Sequence, residues 1–131
     1  MTRIVLALVA ATLSMSVANA AEPAKTMQTS VGEVYTDANG MTLYTFDKDT
    51  MGAAMSACSG QCIQNWPAFV AGEGAMAEGD WTIVEFTDTD GMVKKMWAYD
   101  GKPLYLYIGD QKPGDVTGDG KGGVWHAAKA G

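Results

Sequence analysis

The chain has 131 residues, 47 % of them hydrophobic and 18 % charged, with 9 basic against 15 acidic side chains and a net charge of −6. That balance is unsuited to the phosphate backbone of nucleic acids and to anionic membrane surfaces. The length suits one domain with its own core.

Residues 1–20 read as a signal peptide. Arg3 is the positive start, residues 4–13 are the apolar run, and Ala18-Asn19-Ala20 is a small-residue cleavage site. The run falls short of the about 20 apolar residues that a membrane span needs. The expectation is export to the periplasm or the medium, with no transmembrane segment after cleavage. No cysteine lies near the cleavage site to take a lipid.

Residues 21–30 lack periodicity and read as a mobile leader. Residues 31–46 read as a hairpin. Val34 and Tyr35 lead into Asp37-Ala38-Asn39-Gly40, whose Asn-Gly suits a tight turn, and Leu43, Tyr44 and Phe46 follow. A polar stretch, 47–57, leads to the cysteines. Residues 72–80 form a Gly/Ala/Glu connector that divides a first half (31–71) from a second (81–129). Residues 81–87 and 92–99 read as strands joined by Asp88-Thr89-Asp90-Gly91. Asp100-Gly101 is a preferred two-residue turn into a strand over 102–108. Pro103 cannot donate to a ladder, so it belongs at a strand start or an edge. Residues 109–123 form a glycine-rich loop, and 124–129 a last short strand. No segment has sustained helical periodicity. The predicted fold is all-β: one small domain, 31–131, of about seven short antiparallel strands in two related, hairpin-containing halves.

The halves carry a repeated motif. Gly40, Leu43, Tyr44, Phe46 and Asp49 recur at the same spacing as Gly101, Leu104, Tyr105, Tyr107 and Asp110. Trp66-Pro67-Ala68 follows the first copy and Trp125-His126-Ala127 the second. This doubled L-Y-x-[FY]-x-x-D resembles a family of predicted secreted proteins and lipoproteins defined by a Y-x-[FWY]-x-x-D motif. The run from Cys58 to Trp66-Pro67 and the closing Gly123-Val124-Trp125-His126 are similar to that family too. The resemblance spans residues 32–129 and implies secretion and one fold, with no reaction attached. The missing lipid-attachment cysteine departs from the lipoprotein members.

In a strand, Tyr44 and Phe46 share one face, as do Tyr105 and Tyr107, while Leu43 and Leu104 point to the other. The rings are expected to pack between the halves, each hydroxyl capped by the aspartate that follows it, Asp49 or Asp110. The competing reading is an aromatic ligand platform. Cys58 and Cys62, the only cysteines, are expected to form a disulfide in an exported protein. A metal site and a redox-active pair are the alternatives.

Met51, Met55, Cys58 and Cys62 place soft ligands within twelve residues, a pattern that suits Cu(I), with His126 as a further ligand. The ordinary reading is that the methionines fill core gaps. His126, the only histidine, has no Asp or Ser partner identifiable in the sequence. Asp115, Thr117, Asp119 and Gly120 resemble part of a Ca²⁺ loop, but His126 stands where a bidentate glutamate belongs. The functional expectation is a non-enzymatic binding or envelope-associated module with a protein or small-molecule partner. Copper handling and a thiol–disulfide accessory role are the alternatives.

Overall fold

The computed structural model describes residues 22–130; the expected signal peptide lies outside them. The described residues form seven strands: β1 (Lys25–Thr29), β2 (Gly32–Thr36), β3 (Tyr44–Phe46), β4 (Trp81–Thr87), β5 (Val93–Tyr99), β6 (Lys102–Pro103) and β7 (Trp125–Ala127). A single helical turn, α1 (Gln61–Asn65), precedes Trp66. The pairings β1-β2, β3-β7 and β4-β5-β6 are all antiparallel.

Two expectations are corrected. Residues 25–29 are not a leader without structure; they form β1, in register with β2 from Lys25↔Thr36 to Thr29↔Gly32. A polar edge strand held mainly by its backbone ladder leaves little hydrophobic pattern to read. The hairpin expected over 31–46 is only partial. Its turn is present, with the Asp37 carboxylate accepting from Asn39 N–H and Met41 N–H. Beyond the turn, β2 keeps only the Thr36↔Thr42 bridge and one backbone bond from Leu43, and β3 pairs with β7.

The second half follows the expected plan except in one strand: that expected over 102–108 is only Lys102–Pro103, beyond which Tyr105 makes isolated bridges to Tyr44 and Ala68. β4 and β5 pair from Trp81↔Tyr99 to Thr87↔Val93. Asp100 and Gly101 both have positive φ, 50° and 76°, as a two-residue hairpin turn of right-handed twist requires. Alternation then sorts the faces: Val84, Phe86, Met96 and Ala98 enter one core, while Trp81, Trp97 and Tyr99 face another.

The halves are joined by exchange. Leu43 N–H donates to Tyr35 O, Tyr35 N–H to Ala128 O, and Ala128 N–H back to Leu43 O. The second half repeats this ring of bonds with Leu104, Trp97 and Phe69, and all six lie between 2.8 and 3.0 Å. Ala128 belongs to the second half and Phe69 to the first. Each half therefore completes its sheet with the terminal segment of the other. The flanking bridges agree: Val34 meets Lys129, and Met96 meets Val70. At the centre Tyr44 and Tyr105 donate to each other's carbonyls at 2.7 and 2.9 Å. The pattern is that of an isologous dimer interface enclosed within one chain.

The motif strands run through the middle of the molecule. Tyr44 and Tyr105 fall into one core, Leu43 and Leu104 into the other, and all four are fully buried. The opposed faces predicted for the tyrosines and leucines are thus observed.

Because the β3-β7 sheet and the bridges beyond it take a segment from each half, neither half holds a complete core. Residues 22–71 and 80–130, prepared separately, are expected to give poorly dispersed amide NMR spectra, and an equimolar mixture to recover the dispersed spectrum of the intact chain. A folded monomer from either half alone would contradict the exchange.

Candidate functional site

The motif side chains cross between halves as the backbone does. Tyr44 donates its hydroxyl to Asp110 Oδ2 at 2.6 Å, and Tyr105 donates to Asp49 Oδ2 at 2.6 Å. The expected cap by the following aspartate is therefore corrected. A cap within one copy would tie a half to itself, whereas the crossed bonds tie the halves together. Each aspartate also holds its own loop: Asp49 accepts from Ala57 N–H, and Asp110 from Thr117 N–H and Oγ1.

Each hydroxyl also has a second partner. Gly118 N–H donates to the Tyr44 oxygen at 3.2 Å. Ser56 Oγ, which also reaches Cys58 O, lies 2.5 Å from the Tyr105 oxygen. Burial first, then the bond to a carboxylate, pushes both tyrosines well above their ordinary range. They stay neutral donors. Burial also pushes the Asp49 carboxyl up, against the opposing effect of its Tyr105 and Ala57 donors. A carboxyl that holds its proton more tightly when folded is not a source of acid lability, because its protonation favours the folded state as pH falls.

The remaining aromatics build a column. Phe46 stacks on Trp125 (4.1 Å between centroids, 12° between planes), Trp125 on Trp66 (3.8 Å, 3°) and Trp66 on Tyr107 (4.2 Å, 26°). Tyr44 meets Trp66 edge-on, and Tyr105 meets Trp125 in the same way. The halves alternate along the column, and each aromatic pair adds about 0.5–1.5 kcal/mol beyond its area burial. The rings expected to pack between the halves do so.

Gly40 and Gly101 complete the motif. Both have positive φ, and a Cβ on either would press on the loop of the other half, Pro113 over Gly40 and Met51 over Gly101. All five repeated positions are thus accounted for by contacts between halves. Among the described residues no buried side-chain nitrogen or oxygen lacks a partner, the Tyr44 and Tyr105 hydroxyls included.

The other candidates lie outside this centre. Cys58 and Cys62 form a disulfide, with Cα atoms 5.2 Å apart, and α1 supplies the turn between them. In this state neither sulfur is a thiolate, so neither can bind Cu(I) as one. Met51 and Met55 are exposed rather than filling the core. Met51 covers the Gly101 turn, Met55 bridges to Glu85 of β4, and His126 stands on β7 opposite Thr45. The soft ligand set is thus spread over three parts of the molecule.

His126 has a partner that the sequence did not reveal: its Nε2 lies 2.7 Å from Asp47 Oδ2, on the exposed surface. The equivalent positions in the other half are Pro67 and Ile108, so this pair breaks the internal symmetry. The expected Ca²⁺ ligands are engaged by the protein itself. Asp115 accepts from Gln111 and Lys112 N–H, Asp119 from Ala127 N–H, and Thr117 donates to Asp110. Among the described residues no group of three or more His, Cys, Asp or Glu is arranged to hold a metal ion.

A cleft of about 900 Å³ lies beneath the connector. Its walls are Phe69, Trp81, Trp97 and Tyr99, and residues 74–80 border it. Trp81 stands nearly perpendicular to Trp97 (6.4 Å, 88°) and tilted against Tyr99 (4.8 Å, 50°). None of these residues was singled out from sequence. The available signal was the i, i+2 pair Trp97 and Tyr99, with Trp81 opposite Tyr99 across the hairpin, outside the repeated motif.

An exchanged pair of β-rich halves with an aromatic cleft defines a duplicated β domain. The chain belongs to a family described as a secreted repeat of unknown function, whose model matches it twice, over residues 25–70 and 86–129. The first match runs from the start of β1 to the segment lent to the second half; the second runs from within β4 to the segment lent back. No curated protein and no solved structure matches the chain. No helix among the described residues is long and apolar enough to cross a membrane.

The disulfide closes a very short loop. Reducing the intact protein is expected to lower the unfolding free energy by about 2 kcal/mol, with the fold retained. Urea unfolding with and without reductant measures this; an unchanged midpoint would remove the bond's structural role.

Proposed function

We propose that this protein is an exported, non-enzymatic binding module that takes a small ligand in the cleft walled by Phe69, Trp81, Trp97 and Tyr99. The single observation behind this reading is the cleft itself. Its volume, about 900 Å³, lies within the range of small-molecule sites, and its apolar rings with a few polar groups match their usual lining. The motif pairs Tyr44–Asp110 and Tyr105–Asp49 support the reading by exclusion, since their hydroxyls and carboxylates already bond to one another across the halves. Among the described residues no hydroxyl or thiol nucleophile is bonded to the His126–Asp47 pair, so these do not make a catalytic triad.

Export follows from residues 1–20, and the periplasm is the compartment we propose. A cysteine pair joined in a disulfide is consistent with that oxidising location.

Titrating the isotope-labelled mature protein with a small-molecule fragment library tests the site. Binders are expected to shift the indole N–H signals of Trp81 and Trp97 and the amides of residues 74–80, leaving those of Trp66 and Trp125 in place. Shifts confined to the Trp66–Trp125 column, or turnover of any fragment, would contradict the proposal.

A further inference from the structure

The chemistry of the cleft narrows the ligand. Among the described residues three charged side chains line it, Glu22, Glu78 and Asp80, all acidic, with no Lys, Arg or His. The walls are aromatic rings, with Trp81 and Trp97 nearly perpendicular. Aromatic faces carry partial negative charge and attract cations, so walls and rim favour the same sign. An inorganic cation would need several converging oxygens, and no such group of side chains is present among the described residues. An alkylated ammonium ion suits both features, because its methyl groups pack on the rings while its charge faces the carboxylates. Met76, strongly exposed at the border, adds a polarizable thioether that can lie along such methyl groups.

We infer that the cleft binds an organic ammonium ion, held against the ring wall of Trp81, Trp97 and Tyr99 and drawn in by Glu22, Glu78 and Asp80. The inference rests on the binding-module reading and adds the ligand class. The same head group occurs on free small molecules and on zwitterionic lipids, and the walls recognise what the two share.

The test is calorimetric titration of the intact mature protein with tetramethylammonium chloride, with choline, and with 3,3-dimethylbutan-1-ol as the uncharged isostere of choline. The two cations are expected to bind saturably, at least tenfold more tightly than the alcohol, and more weakly as salt rises. Trp97→Ala is expected to weaken binding by roughly tenfold. Because that change also removes packing, the paired substitution Glu78→Gln and Asp80→Asn on the exposed connector provides a second test. It is expected to weaken cation binding several-fold, to flatten the salt dependence, and to leave the unfolding midpoint unchanged.

Co-sedimentation with phosphatidylcholine vesicles, reversed by tetramethylammonium, would assign a lipid source. Binding of soluble choline without sedimentation would assign a free one, and either outcome supports the inference. Equal binding of alcohol and cation would overturn the ligand class while leaving a binding cleft. Absence of saturable binding by any of these probes at millimolar concentration would overturn both.

Discussion

The reciprocal hydrogen bonds between Tyr44 and Tyr105 place the two halves of the chain. Once those two residues face each other in antiparallel register, the positions beyond them must pair across halves as well. Ala127 comes to lie against Tyr44 and Ala68 against Tyr105. The tryptophans that precede these alanines are brought into contact, and the tyrosine rings reach the opposite aspartates. An error in this register would invert the alternation, moving leucines into the aromatic core and tyrosines out of it. The motif is therefore a register device, and its duplication supplies two complementary surfaces from one pattern.

That constraint leaves the centre rigid and chemically occupied. Function is expected where the two halves differ. The first half has Tyr35 on β2 where the second has Trp97, and its β1 is polar and largely exposed. The second places Trp81, Trp97 and Tyr99 on the face of β4 and β5 that does not enter the central core, and the connector borders the resulting cleft. The glycine and alanine of residues 72–80 suit a border that must yield to a ligand. The His126–Asp47 pair and the Cys58–Cys62 bond are further departures from symmetry, and neither belongs to the cleft lining.

The sequence carried much of the fold and little of the site. Period-2 alternation at 43–46 and 104–107 placed the leucines and tyrosines on opposite faces, and Asp100-Gly101 located its turn, because these are local properties. The exchange was not legible, since a motif occurring twice says nothing about which copy its residues contact. Asp49 and Asp110 were accordingly assigned to the wrong tyrosines. β1 was missed because a polar edge strand shows its pairing only in three dimensions. The Asp115–Asp119 pattern resembled part of a Ca²⁺ loop, but those carboxylates accept backbone N–H groups of their own loop and of β7, a use that spacing alone cannot separate from ion binding. The cleft was missed because its walls come from the hairpin and the end of the first half, brought together by the same exchange.

Double-mutant cycles on the tyrosine–aspartate bonds test the crossed arrangement most directly. Tyr105→Phe is combined with Asp49→Asn in one cycle and with Asp110→Asn in the other, and unfolding free energies are measured for each set. The exchanged fold predicts a coupling of about 1–3 kcal/mol between Tyr105 and Asp49, and additivity within about 0.5 kcal/mol between Tyr105 and Asp110. Coupling within the repeat, with additivity across it, would contradict the account.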